Sequence, residues 1–394
     1  MSNSGLSERS SLESLRSLSS ALSIQSEPDA LPPPVEGPMV WQSNELQPSQ
    51  YIVKLQPADV EAVRAAIVSF KLLGLPRGSI STDTFCLNPD LASRLSAISD
   101  EIHHGRGVVV LRGLESALLN DEESVIAFAG LASYVCPERA TDSYANQTLS
   151  HIRDATHDVV PDWARDLGLA GSKLPSAMEF HADRFSGDVL AMYVRNDGSK
   201  EAGGEQFMAS FCRIYNELLR VAPDVLDTLA AGDWPFELKN PEHKLPHLDF
   251  GPALFFAGGR PICQLVKAPL LGSPKIPRLS SMPSLSSKQL HALQVVEDLA
   301  QRYCTKLDRC NGDIQFINNL GIMHARSAYG GKSAQHRNTR HLLRMFLRDP
   351  RNAWIKPSSY LHKFDDPFEN GREQNLPILD TDPWRKISGR ESHG

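Results

Sequence analysis

The sequence predicts a mainly β enzyme domain, a decorated β-barrel or sandwich rather than a doubly wound sheet. Three observations carry this. From about residue 180 the chain turns to short apolar runs bounded by Gly, Pro and Asp: "DVLAMYVRND" (188–197), "GGEQFMASF" (203–211), "ALFFAGG" (253–259) and "PICQLVKAP" (261–269). Helical segments interrupt these runs as insertions and do not alternate with them in βαβ order. The chain has 394 residues, 41% hydrophobic and 22% charged, enough for one large domain with a substantial core.

The elements follow in order. The first forty residues read as a tail. "SGLSERSSLESLRSLSSALSIQSE" is dominated by Ser, with Leu6, Leu12, Leu15 and Leu18 at near-helical spacing. It reads as a disordered segment with a transient amphipathic helix, because Ser is a poor interior helix residue. "PDALPPPVEGP" ends any such helix. Residues 57–75 form a helix, with Pro57 at the start, Gly74 at the end, and Val60, Val63, Ile67 and Phe70 on one side. "RGVVVLRGL" (106–114) is a strand, and 121–135 is helical again. Residues 212–230 read as a helix stopped and restarted at Pro223. Residues 286–307 are a helix capped by Ser286, with Leu290, Leu293, Val296, Leu299 and Ala300 as its buried stripe. "GDIQFINNLGIMHAR" (312–326) and "RHLLRMFLRDP" (340–350) are two further strands joined by a polar loop.

Bulk properties narrow the function. A net charge of −6 gives no electrostatic case for nucleic acid or an anionic membrane. The six cysteines form no CxxC pair, which speaks for small apolar fillers in a reducing compartment and against structural zinc or a disulfide framework. No apolar run reaches the length that spans a bilayer, and the N-terminus lacks a secretory core. A cytoplasmic protein acting on a small molecule is expected. Oligomeric state is not legible.

In "EFHADRF", His181 and Asp183 stand two positions apart, so on an extended segment both point to one face and could share one ion. HxD alone is weak. A third candidate ligand is His324, at the end of a strand-like run that starts at Gly312; Asn318, Leu320 and Ile322 share its face. Two imidazoles and one carboxylate leave coordination positions open, which suits Fe(II) with a chelating co-substrate and O2. Zinc could use the same ligands, but no hydrolytic base accompanies them.

A dicarboxylate co-substrate needs an anchor, and the planar fork of Arg matches a carboxylate. Arg340 and Arg344 lie sixteen and twenty positions after His324 and share one face of their strand with Leu342 and Phe346. That apolar company argues against a solvated outer face.

Taken together, "GRGVVVLRGL", "SHIRDAT", "FHADR", "GGEQFMAS", "RIYNELL", "GDIQFINNLGIMHARSAYG" and "RHLLRMFLRDP" resemble the Fe(II)- and 2-oxoglutarate-dependent dioxygenases of the taurine dioxygenase type, in their fungal clavaminate-synthase-like branch. The resemblance runs from about Trp41 to Trp354. It implies a double-stranded β-helix (jelly-roll) core surrounded by helices, with a tail at 1–40, one domain at 41–394, a core at about 105–350 and a C-terminal extension after about 355. It implies His181, Asp183 and His324 as the metal triad and Arg340 as the anchor for the distal carboxylate of 2-oxoglutarate. Arg344 occupies a position that some members use for an anionic substrate group. Gln206 stands where the family usually has a Ser or Thr hydroxyl supporting 2-oxoglutarate; its amide still donates but is longer. His151, in "SHIRD", is a candidate for the substrate pocket. The implied reaction couples decarboxylation of 2-oxoglutarate to hydroxylation, desaturation or cyclisation of a small substrate, an amino acid or other carboxylate, in secondary metabolism.

Two other classes compete. A metal hydrolase or isomerase on a similar barrel would not need Arg340, so Arg340→Ala separates it from an oxygenase. A non-catalytic binding protein would have no need of an intact triad.

Overall fold

The computed structural model describes residues 31–114, 116–142, 146–162, 169–198, 203–238, 247–272, 277–330 and 340–380. The chain divides into two compact units, Met1–Pro33 and Pro34–Gly394. The Ser- and Leu-rich stretch read as a tail lies outside the described residues. In the second unit, Met39 and Trp41 are already buried, and the Trp41 indole donates to the Arg106 carbonyl.

Strands form at Ile52–Lys54 (β1), Val108–Arg112 (β2), Glu138–Arg139 (β3), Ser150–Arg153 (β4), Met178–His181 (β5), Val189–Asn196 (β6), Gln206–Ser210 (β7), Trp234–Leu238 (β8), His247–Gly251 (β9), Leu254–Ala257 (β10), Arg260–Cys263 (β11), Thr305–Lys306 (β12), Ile314–Asn318 (β13), Ile322–Arg326 (β14) and His341–Arg348 (β15). One sheet has the order β1-β2-β13-β6-β15-β3, with β4 also paired to β15; a smaller one has the order β12-β7-β14-β5. Apart from the parallel β1–β2 pair, the pairings in both sheets are antiparallel. The chain passes between the sheets from β5 to β6, from β6 to β7, and from β13 to β14. This is the jelly-roll that the sequence led us to expect.

Both faces of the larger sheet are buried, which is why its strands read as continuous apolar runs. Alternate residues divide between two cores. Val109, Leu111, Phe316, Leu343, Met345 and Leu347 pack under helices, while Val108, Val110, Leu190, Ile317, Leu342 and Phe346 face the smaller sheet. The helices on the outer face are Pro57–Leu73 (α1), Pro89–His103 (α2) and Asp121–Val135 (α3). α1 has the predicted signals. Pro57 is its first residue, Gln56 and Asp59 cap it reciprocally, and Gly74 ends it in the left-handed region at φ +64°. On the smaller sheet lie Phe211–Val221 (α4), Pro223–Ala230 (α5) and Ser287–Tyr303 (α6), with the expected break before Pro223 and the expected Ser286 cap.

Two expectations are corrected. Residues 312–326 are not one strand. The Asn319–Gly321 turn carries the chain from β13 in the larger sheet to β14 in the smaller one, so Asn318 and Leu320 do not continue the face of His324. On α6, Leu290 is 47% exposed and Leu299 half-buried; the buried stripe uses Gln289, Ala292, Leu293, Val296, Glu297 and Ala300. Cysteines are fillers only in part, since Cys136, Cys212 and Cys263 are buried whereas Cys86 and Cys310 are exposed. No helix among the described residues is long and apolar enough to cross a membrane.

Past β15 the chain wraps back over β4. The Asn375 carbonyl accepts from the Thr148 and Leu149 amides, Leu376 enters the helix-side core, and the Asp380 carboxylate bridges Lys173 and Arg153, each at 2.8 Å.

Candidate active site

The cavity between the sheets is lined on one side by β5, β7 and β14 and on the other by β4, β6 and β15. His181 ends β5 and pairs in register with His324 on β14; their rings lie 4.2 Å apart. Asp183 follows just beyond β5. Its two oxygens lie 3.9 Å from His181 Nε2 and 3.4 Å from His324 Nε2. One potential ligand atom from each of the three residues falls within 4.8 Å of the others, and all three residues are buried.

This donor set fits a divalent cation. His181 Nδ1–H donates to the Glu179 carbonyl at 2.7 Å, which leaves the Nε2 lone pair directed at the centre. Burial, and then the His324 ring, pull the His181 pKa down to about 3, against the pull of Asp183. Two imidazoles and one carboxylate, buried together with their ligand atoms this close, are a donor set that a divalent first-row ion takes.

The arginines converge on the same cavity. Arg340, Leu342 and Arg344 line it, as the alternation along β15 predicts. Arg344 Nε donates to Ser150 Oγ at 3.2 Å. Burial pushes its pKa down, and nearby Asp183 opposes that push. Arg340 is pulled down to about 9, first by burial and then by the like charges of Arg309 and Arg326. Arg326 and Arg340 both sit over the Tyr329 ring, at 4.6 and 4.9 Å. Gly204 makes room for this cluster. Its φ is +81°, and an added Cβ would lie 3.0 Å from Arg340 Nε. Gln206 also lines the cavity, and its Oε1 accepts from Arg309 Nη1 at 3.4 Å, which leaves the amide Nε2 as its donor.

Sequence reasoning passed over two residues here. Arg326 is two positions after His324 on one strand, so the alternation that linked His181 to Asp183 could have found it. Arg309 lies in a loop and carried no signal.

His151 is not brought to the cavity. Its neighbours Ser150 and Ile152 face inward, and His151 points to the opposite side of β4. There it stacks on His341 at 5.1 Å, and its Nδ1 lies 2.8 Å from His341 Nε2. His151 Nε2–H donates to the Pro377 carbonyl at 3.0 Å. Burial lowers both pKa values, that of His341 to about 4, with Arg195, Asp380 and Lys173 as further charged neighbours. Unfolded histidine titrates near 6.5, so the unfolded chain takes up protons first as the pH falls. Stability contributed by this pair is therefore present above about pH 6.5 and is lost between there and about pH 4. His341→Gln is expected to flatten the fall of Tm across that window. A Tm profile identical to wild type would show that the pair does not couple to folding.

Residues 75–346 match the family described as taurine catabolism dioxygenase TauD, TfdA. A taurine hydroxylase-like protein of Stachybotrys chartarum is 32% identical over 354 residues, 89% of this chain and 89% of its own. FR-33289 synthase of Streptomyces rubellomurinus is 22% identical over 341 residues, 85% of this chain and 96% of its own. Among solved structures, asparagine oxygenase in complex with Fe(II), 2S,3S-3-hydroxyasparagine and succinate has a TM-score of 0.55 at 15% identity, covering 77% of this chain and 98% of its own. The non-heme iron oxygenase OrfP, in complex with Fe, succinate and (3S)-hydroxy-L-Arg, has a TM-score of 0.53 at 13% identity, covering 75% and 94%.

Proposed function

The chain belongs to the taurine catabolism dioxygenase TauD, TfdA family, and on that premise we propose how its residues divide the work of an Fe(II)/2-oxoglutarate-dependent dioxygenase. His181, Asp183 and His324 hold the iron. Arg340 and the Gln206 amide receive the distal carboxylate of 2-oxoglutarate. Arg344 receives an anionic group of a small substrate. The observation that carries this reading is that His181, His324, Gln206, Arg340 and Arg344 line one cavity between the two sheets, with Asp183 beside the two histidines.

Held by His181, Asp183 and His324, an iron ion would supply the oxidative chemistry that couples decarboxylation of 2-oxoglutarate to oxidation of a substrate C–H bond by O2. The protein's part is positional. Arg340 lies at one end of the cavity, beside Arg326 and Tyr329. It fixes the far end of the co-substrate so that the near end faces the triad. Arg344 is four residues further along β15 and electrostatically coupled to Asp183, so an anion held there lies next to the metal ligands. Ile152, Leu190, Met192 and Leu342 complete a wall with no proton donors, which keeps water from the reacting carbon. A carboxylate-bearing substrate such as an amino acid fits this arrangement. The asparagine oxygenase and OrfP structures hold hydroxylated amino acids.

A panel of amino acids and simple carboxylates, screened by succinate release with Fe(II) and 2-oxoglutarate present, tests the reading. With the substrate so found, Arg344→Ala removes a buried charged partner, a loss of about 2–5 kcal/mol, or about 30-fold or more in KM. An unchanged KM for a carboxylate substrate would remove Arg344 from the substrate site.

A further inference from the structure

We propose that Asn319 is the positioning residue of the metal centre. Its carboxamide, in place of a strand ladder, holds the Asp183 backbone and so sets how tightly the chain binds a divalent ion. This rests on the reading of His181, Asp183 and His324 as the ligands.

The two histidines need no such help. His181 and His324 face each other across the β5–β14 pairing, so the sheet fixes their separation. Asp183 lies beyond the end of β5, where the ladder has stopped. Asn319 takes over there. Its Oδ1 accepts from the Asp183 amide at 2.9 Å, and its Nδ2 donates to the Asp183 carbonyl at 2.8 Å and to the Gly187 carbonyl at 2.9 Å. Its own amide donates to the Asp188 carbonyl at 2.9 Å. Asn319 and Asp183 are both fully buried, so no water replaces these bonds when they are lost. Only a carboxamide offers one acceptor and two donors on a stem this short.

A second carboxamide completes the loop. Phe185 is buried with φ +51°, a left-handed conformation that a bulky residue holds only when its surroundings fix it. Its amide donates to Gln264 Oε1 at 2.7 Å. Asn319 lies five residues before His324, in the turn that carries the chain from β13 to β14. All three ligands are thereby tied to one another through protein atoms, His181 to His324 by the sheet and Asp183 to the turn before His324 by Asn319. That is preorganisation of the ligand set without the ion.

The neighbouring Asn318 supplies the control. It is also fully buried, its Oδ1 accepts from the Leu320 and Gly321 amides at 2.9 and 3.0 Å, and its Nδ2 donates to the Ile102 carbonyl at 3.1 Å. It loses as many side-chain hydrogen bonds on truncation, but none to residues 181–187.

The experiment titrates metal-free protein with Co(II) and reads Kd from the visible d–d absorption, without turnover. Wild type is compared with Asn319→Ala, Asn319→Asp and Asn318→Ala, each checked for folding by circular dichroism and Tm. Asn319→Asp is nearly isosteric and keeps the acceptor while losing both donors, so it carries the test if the alanine variant does not fold. The expected result is a Kd raised about 10- to 100-fold in the Asn319 variants, with Asn318→Ala less stable but within about threefold of wild type. Asn319 variants that fold and bind as wild type does would overturn the proposal alone, as would equal weakening in Asn318→Ala. A wild-type protein that binds no Co(II) would overturn the metal-site reading and this proposal together.

Discussion

Asp183→Ala is expected to reduce substrate-dependent succinate formation to background. It removes the only carboxylate of the described donor cluster and leaves two imidazoles, a weaker and uncharged ligand pair. A metal's contribution to charge stabilisation is worth several kcal/mol, so the loss is about 10³-fold or more. The measurement with most resolving power precedes turnover. Under anaerobic conditions, Fe(II) and 2-oxoglutarate bound together give a weak metal-to-ligand charge-transfer band in the visible. Wild type should show the band, and Asp183→Ala and His181→Ala should not. A band that survives both substitutions would place the co-substrate's iron elsewhere and would leave the buried His–Asp–His cluster as a structural feature.

Arg340→Ala is the second large effect, and it differs in kind. The triad is untouched, so the variant should bind Co(II) as wild type does. The lost contact is to the co-substrate, and truncating one side of a buried charge pair costs about 2–5 kcal/mol, which is about 30-fold or more in the KM for 2-oxoglutarate. A KM for 2-oxoglutarate that stays at the wild-type value would remove Arg340 from the co-substrate site. It would also revive the hydrolase reading, which has no use for a dicarboxylate anchor.

The fold was legible where one physical signal decided the matter. α1 was readable because its end signals and an apolar face agreed, and β2, β6 and β15 because apolar runs stood out from their flanks. α2 was missed although Asn88 before Pro89, followed by Leu91, Leu95, Ile98 and Ile102, carries both signals. The break between β13 and β14 was hidden for a different reason. The Asn-Asn-Leu-Gly turn signal is there, but the turn is buried and short, and Asn318 and Asn319 bond to backbone there instead of to water.

The site followed the same pattern. Residues two apart on a strand could be grouped from sequence, as with His181 and Asp183 or Arg340 and Arg344. The step from one group to the next depends on strand pairing across more than a hundred residues, and resemblance supplied it. His151 went astray on parity alone, since Ser150 and Ile152 have the inward positions on β4. Arg309 was out of reach, because the β12–β7 pairing that places its loop beside Gln206 leaves no local trace.

The segment from Asn375 to Asp380 has a bearing on how the molecule is made. A ribosome releases the chain from its N-terminus, and β4, which walls the cavity, emerges more than two hundred residues before the strap that answers its His151 ring and the Thr148 and Leu149 amides just before it. The second imidazole of the centre, His324, also follows β4 by more than 150 residues. A nascent chain can therefore collapse its α1–α3 helices before the cavity wall and the ligand set have their partners. Chains that end before residue 374 should thus hold helical structure and yet leave the Thr148 and Leu149 amides and the His151 ring without the acceptors of the strap, an exposed edge that a chaperone would protect.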